Sequence, residues 1–229
     1  MKVSIVIPCY NEKNTILEIL KKIEGADIGH HKKEIIIIDD GSDDGTRELL
    51  HLHARKHRVI SHSQNSGKGS ALRTGFQYAT GDIILVQDAD LEYDPADYKR
   101  LIGPIVEGKS KVVYGSRERN KKNKIHSGIL FYLGGLFLTW LTNALYGSKL
   151  SDESTCYKVF ESQTLKSITL HCKRFDFCPE VTAKILKRGI KIQEVPIVYH
   201  PRKKHEGKKI RFKDGLEAIW TLLKYRVKD

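Results

Sequence analysis

The chain has 229 residues, 40% of them hydrophobic and 30% charged, which suits one large domain with a real core and excludes a low-complexity chain. A formal charge of +12 calls for an anionic partner: nucleotide phosphates, a membrane surface or nucleic acid. The basic excess is concentrated in residues 117–124 and 202–213, so it forms local patches. The four cysteines (Cys9, Cys156, Cys172, Cys178) lack C-x-x-C spacing and fit a reduced cytosolic chain better than a disulfide framework; a Cys172–Cys178 bridge is the alternative. The N-terminus passes into strand and loop too soon for a signal peptide.

Residues 3–7 read as a short buried strand stopped by Pro8. A loop over 8–12 follows, and Asn14 or Thr15 caps a helix over 15–23 whose Ile16, Ile19, Leu20 and Ile23 share one face. Residues 34–38 are a second buried strand ending at Asp39, Asp40, Gly41 and Ser42. A cap by Ser42 or Asp43 on a helix over 46–56 explains part of this stretch, though not two adjacent acids. A weaker strand over 58–62 leads to Gly67-Lys68-Gly69 and a helix over 71–79. Such a turn can accept phosphate through backbone N–H groups and the helix dipole, or it is only a flexible turn; it does not match a P-loop.

Residues 83–87 read as a strand buried on both faces, running straight into Asp88, Ala89, Asp90, Leu91 and Glu92. In an extended segment this alternation puts the three carboxylates on one side. Acids so placed repel one another and suit an oxygen-binding divalent cation, Mg²⁺ or Mn²⁺, which can in turn hold a diphosphate. The bland alternative is a solvated acidic loop. A helix over 95–107 and a strand over 111–114, ending at Gly115-Ser116-Arg117, continue the alternation. The pattern predicts an α/β fold with a mainly parallel central sheet flanked by helices, its ligand loops gathered along one edge.

Residues 129–147 carry no charge and are flanked by Lys121, Lys122, Lys124 and Lys149. Leu130, Leu133, Phe137, Trp140, Leu141 and Ala144 share a side of the helical wheel, while Gly134, Gly135, Thr139, Thr142 and Asn143 argue against a span. The expectation is a helix in or near a membrane interface, with a core helix as the alternative. Residues 151–160 are a polar turn leading into a strand, with Asp152 either facing the site or serving the turn. A helix over 181–188, a strand over 191–199, a basic loop from 201 and a helix over 216–225 complete the chain. The ten histidines are scattered and read as surface residues.

The runs Ile5-Val6-Ile7-Pro8-Cys9-Tyr10-Asn11-Glu12, Ile38-Asp39-Asp40-Gly41-Ser42-Asp43-Asp44-Gly45-Thr46, Gly67-Lys68-Gly69, Asp88-Ala89-Asp90 and Gly115-Ser116-Arg117 resemble family 2 glycosyltransferases of GT-A fold. Within that family the chain is most similar to the dolichyl- and polyprenyl-phosphate sugar synthases, over nearly its whole length. The resemblance implies a single catalytic domain over 1–229, with a nucleotide-sugar half (1–117) and an acceptor half (118–229). The acceptor half would carry the interfacial helix near 128–147 and the basic loop 201–213. It implies metal-dependent, inverting transfer of a hexose from a nucleotide-diphosphate sugar to a polyprenyl phosphate. A UDP-sugar is favoured, with GDP-mannose open.

By the same resemblance Pro8, Tyr10 and Glu12 hold base and ribose, Asp39 or Asp40 meets the base edge or ribose, and Lys68 lies near the nucleotide. Asp88, Ala89 and Asp90 meet the nucleotide sugar, and Asp88 and Asp90 bind the metal with Glu92, where the family often has Gln. Arg117 meets the acceptor phosphate. A second acceptor arginine has no match, with Lys124 or His126 as substitutes. Asp152 matches an acid on the acceptor side. Arg202 and Lys209 match an Arg…Ser-Lys loop over the diphosphate, with Lys208 in place of Ser. The family's additional C-terminal membrane helices have no counterpart in this sequence, and the expected location is cytoplasmic, peripheral on the cytoplasmic face of a membrane. A hydroxyl acceptor in cell-surface glycan synthesis is the alternative, with Asp152 as general base. A nucleotidyltransferase would carry a glycine- and arginine-rich turn where Pro8 to Glu12 stand. A noncatalytic nucleic-acid-binding protein would explain the charge but not the acids at strand ends, and no such motif is present.

Overall fold

The computed structural model describes residues 1–53, 55–123, 128–202, 209 and 211–228. Lys124, His126 and Lys208, each assigned a role above, lie outside the described residues.

Short runs of β-branched residues form seven strands: β1 (Lys2–Cys9), β2 (Lys32–Asp39), β3 (Arg58–Ser61), β4 (Ile83–Val86), β5 (Val112–Ser116), β6 (Lys158–Glu161) and β7 (Ile192–Pro196). They join in one sheet in the order β3-β2-β1-β4-β6-β5-β7. All neighbours are parallel except β6, which runs antiparallel to both β4 and β5. The sheet crosses from the first half of the chain into the second, so both share one core. The expected mainly parallel sheet is present, and its one reversed strand is additional information.

Alternate residues of each strand face opposite layers. Ile5, Ile7, Ile37 and Leu85 pack with α1 (Ile16–Gly25), α2 (Thr46–His53) and α4 (Tyr98–Val106) through Ile19, Leu20, Leu50 and Leu101. Val6, Ile36, Ile38 and Val86 pack on the other face with α3 (Lys68–Tyr78) and α7 (Phe177–Lys187), and α6 (Ser162–Lys166) adds Leu165 there. Helix α6 was not expected from the sequence; at five residues it is too short for a periodic signal.

Several expected boundaries move for identifiable reasons. Pro8 does not stop β1, which pairs through Cys9 with Asp39. The Val6 carbonyl accepts from the Gln87 N–H, so Pro8, two residues on, turns its nitrogen to the side where β4 has ended and no N–H is needed. Thr15 is at the N-cap of α1 but makes no side-chain cap; its hydroxyl donates to Glu12 and to the Ala89 carbonyl at 3.0 Å. At α2 the Asp44 side chain, rather than Ser42 or Asp43, accepts from Thr46 N–H. Helix α7 starts at Phe177 with Pro179 in its first turn, where the missing N–H costs nothing. Strand β7 is shorter than expected and ends at Pro196. The last helix, α8 (Phe212–Val227), starts earlier than expected, where Asp214 accepts from the Arg211 N–H. All four cysteines are free.

Helix α5 (Ile129–Tyr146) is turned inside out: Thr139 and Thr142 are its buried residues, while Leu130 is 81% and Trp140 62% exposed. Its mean hydropathy is 1.4. The core-helix alternative is therefore excluded, because the apolar side faces away from the protein.

Candidate active site

The C-terminal ends of β1, β2, β4 and β5 bring the sequence-marked residues to one edge of the sheet. Asp39, the last residue of β2, and Asp40, which follows it, were expected at the base or ribose and are buried at that edge. Asp39 accepts from Ser42 N–H at 3.0 Å and pairs with Arg47 Nε at 2.7 Å. Asp40 accepts from Ser66 N–H and Gly67 N–H, at 3.0 and 2.7 Å, and pairs with His62 Nδ1. It thereby fixes the Gly67-Lys68-Gly69 turn. Gly67 sits at φ +94, and a Cβ there would lie 2.4 Å from the Lys173 carbonyl oxygen, so only glycine lets the two loops meet.

Lys68 lies 2.5 Å from Asp88 Oδ1 and 3.1 Å from Cys156 Sγ. Burial works against the Lys68 charge, but Asp88 beside it wins and holds the ammonium well above its usual range. Burial likewise opposes the Asp88 charge, yet Lys68 keeps that carboxyl below the usual value. Asp90 and Glu92 converge instead on Arg202. Arg202 Nη2 donates to Asp90 Oδ2 at 2.6 Å, and its backbone N–H donates to Glu92 Oε1 at 2.6 Å. Glu92 N–H donates to Asp90 Oδ1. Glu12 takes Arg202 Nη1 at 3.1 and 3.2 Å and Lys209 Nζ at 2.7 Å. Lys209 also donates to the carbonyl of Tyr10 and lies 5.7 Å from that ring's centroid. Burial, Asp88 and Glu92 push the Asp90 carboxyl up to about 7, against the opposing pull of Arg202.

The three expected metal ligands are thus split between two cations, Asp88 with Lys68 and Asp90 with Glu92 on Arg202. Among the described residues no three His, Cys, Asp or Glu side chains gather as a metal centre. Asp90 and Glu92 nevertheless suit a hard divalent ion, since both present carboxylate oxygens to one cationic partner, Arg202. A bound diphosphate would supply further oxygens.

On the acceptor side, Arg117 and Asp152 form a bidentate pair at 2.7 Å for both bonds, and Asp152 also accepts from Arg117 N–H at 2.9 Å. The guanidinium lies 5.2 Å from the centroid of the Tyr199 ring. Although burial raises the Asp152 carboxyl, Arg117 brings it below the ordinary value, so it is ionised and fully engaged. These residues floor a pocket walled by Phe131, Tyr132 and Leu136 of α5. Glu194 of β7, not marked in the sequence, supports the Arg117–Asp152 pair from behind. It accepts from Ser151 N–H and Asp152 N–H at 2.9 and 3.0 Å and pairs with Arg119, so it holds the turn that aims Asp152. An acid in the buried part of a short strand is the one signal that points to it.

The sequence profile described as "Glycosyl transferase family 2" matches residues 4–161. A UDP-N-acetylglucosamine–dolichyl-phosphate N-acetylglucosaminyltransferase of Methanococcus voltae is 30% identical over 84% of this chain and 83% of its own length. An undecaprenyl-phosphate 4-deoxy-4-formamido-L-arabinose transferase of Edwardsiella ictaluri is 30% identical over 90% of this chain, which spans 62% of that relative's length. Among solved structures, glucosyl-3-phosphoglycerate synthase from Mycobacterium tuberculosis in complex with Mn²⁺, UDP and glucosyl-3-phosphoglycerate superposes with a TM-score of 0.76. It is 22% identical, over 98% of this chain and 79% of that one.

Proposed function

The chain belongs to glycosyl transferase family 2, with the GT-A fold, and we propose that it moves a hexose from a nucleotide-diphosphate sugar, by preference a UDP-sugar, to a polyprenyl phosphate. The observation that carries this reading is the Arg117–Asp152 pair under a pocket walled by an inside-out apolar helix. A guanidinium at the polar floor suits a phosphate, and the α5 wall suits an isoprenoid tail.

The state of Asp152 favours a phosphate over a hydroxyl acceptor. A hydroxyl needs a base, and a carboxylate held below its usual range by a bidentate arginine is a poor one. A phosphate is already anionic near neutral pH, so Arg117 need only orient it. Asp152 then acts by holding Arg117. On the donor side Pro8, Tyr10, Glu12 and the Asp39–Asp40 loops receive the nucleotide, with Lys68 beside it. Asp90 and Glu92, with Asp88 adjacent, would hold Mg²⁺ or Mn²⁺, which supplies positive charge to the diphosphate. Arg202 and Lys209 add theirs to the same leaving group, where preorganised charge lowers the barrier most. One in-line displacement inverts the anomeric carbon.

A lipid acceptor requires a bilayer within reach, and two helices support that. Helix α8 exposes Phe212, Leu216, Trp220, Leu223 and Val227 in one stripe, and meets α5 where Tyr146 Oη donates to the Leu222 carbonyl at 2.6 Å. Both tryptophans of the chain, Trp140 and Trp220, are exposed here, at 62% and 66%. Lys213, Lys224, Arg226 and Lys228 adjoin the stripe. Apolar and aromatic side chains ringed by lysine and arginine fit an anionic leaflet, and the protein then sits peripherally on a membrane's cytoplasmic face.

The test is transfer from UDP- and GDP-sugars with Mg²⁺ or Mn²⁺, with and without a polyprenyl phosphate. Transfer only to alcohols would overturn the acceptor assignment, and consumption of no nucleotide sugar would overturn the activity. Asp152→Asn is expected to weaken lipid-phosphate transfer and leave it measurable, whereas alcohol transfer would be nearly abolished; product formation with each acceptor decides.

A further inference from the structure

Glu12, Asp88, Asp90 and Glu92 meet at the donor edge, and Lys68, Arg202 and Lys209 answer them. Arg202 is central to this arrangement. Its guanidinium lies against Asp90 Oδ2 and between the two oxygens of Glu12, and its own N–H holds Glu92. These are the oxygens that a divalent ion at Asp90 and Glu92 would need. An ion and the guanidinium cannot both take Asp90 Oδ2 at full strength, because each requires the same lone pairs and the two repel.

The charge balance gives the consequence. Four carboxylates facing three side-chain cations are almost neutralised, so a bare divalent ion gains little by entering and must also strip Arg202 of its partner. An ion that arrives with a diphosphate brings new anionic oxygens. The displaced guanidinium can turn to those and lose nothing. We propose that Arg202 is a built-in stand-in for the cation: it keeps the acidic cluster closed to metal alone and makes metal and nucleoside diphosphate load as a pair. The inference rests on the assignment of Asp90 and Glu92 as cation ligands made above.

Free Mn²⁺, read by electron paramagnetic resonance during titration with the whole protein, tests this without any turnover. Wild type is expected to bind Mn²⁺ weakly alone and about tenfold or more tightly with saturating UDP or GDP. Arg202→Gln is expected to tighten binding of Mn²⁺ alone by about tenfold and to shrink the nucleotide enhancement, whereas Arg202→Lys, which keeps the charge, stays near wild type. Thermal melts confirm that each variant is folded. If Arg202→Gln binds Mn²⁺ alone no better than wild type and Arg202→Lys, the proposal is overturned. Absence of any UDP or GDP effect in all three proteins would count against the nucleotide-donor assignment, and the wild-type comparison with Arg202→Gln would still decide the role of Arg202.

Discussion

At the scale of single residues, the donor edge holds one carboxyl out of balance. Asp90 titrates at about 7 in the folded chain, raised by burial, Asp88 and Glu92, against an ordinary 3.8. Between those values the unfolded chain releases the proton and the folded chain keeps it, so stability falls as pH rises and the deficit is complete above about 7. Asp90→Asn is therefore expected to raise the melting temperature of metal-free protein at pH 8 by a few degrees, to leave it unchanged near pH 4, and to abolish stabilisation by Mn²⁺ with UDP. Scanning calorimetry at the two pH values checks it. Glu194 works through backbone. Glu194→Ala should lower kcat/KM for the lipid phosphate by about 10- to 100-fold with the nucleotide-sugar KM nearly unchanged, and Glu194→Gln should recover part of the loss. A merely structural role would depress both substrates alike. The placing of Asp88, Asp90 and Arg117 at the sheet edge was legible in the sequence because each closely follows a buried strand. Glu194 was not, because its partners are N–H groups on a turn far along the chain. The pairing of Asp39 with Arg47 and Asp40 with His62 was hidden too, because an acid at a strand end does not show which side chain folds back on it.

At the scale of elements, α5 was the easiest to locate and the hardest to orient. An uncharged run gives the helix, but only the packing reveals that Thr139 and Thr142 face inward, with the Thr139 hydroxyl accepting from Glu153 N–H. In α8 charged residues such as Lys213, Asp214 and Lys224 are interspersed with the apolar ones, so the sequence pattern gave a helix from 216 without its exposed apolar stripe. Strand direction was also invisible, since nothing in Lys158–Glu161 says that β6 runs against its neighbours. Trp220→Glu and Leu133→Glu are each expected to cut sedimentation with anionic vesicles by about tenfold or more while leaving UDP and Mn²⁺ binding intact. Intrinsic fluorescence gives an independent reading, because both tryptophans lie on this surface. It should shift to the blue when wild type meets anionic vesicles and stay fixed with neutral ones.

At the scale of the whole molecule, the two ends of the sheet do different work. The end away from the site is tied by Glu34, which takes Lys2 Nζ, Ser4 Oγ and both donors of Thr80. Burial acts to raise this carboxyl, but those hydrogen bonds hold it down at about 2. A depressed carboxyl contributes stability above its unfolded value of 4.5, and that contribution is lost as pH falls from there towards 2. After solvent screening of this partly exposed group, the contribution is about 1–2 kcal/mol. Urea unfolding at pH 6 and pH 3 should show it, and Glu34→Gln should flatten the difference while sparing activity.

The reversed strand β6 has a further consequence at the opposite end. It separates β4, which delivers Asp88, from β5, which delivers Arg117, and because it runs backwards it returns Asp152 and Cys156 to that same rim. Strands β4 and β5 are then two strand spacings apart, about 10 Å. On the proposed reading that spacing suits one pyranose between donor and acceptor phosphates, so single sugars are expected to be transferred and nucleotide-linked disaccharides refused, which product mass spectrometry checks.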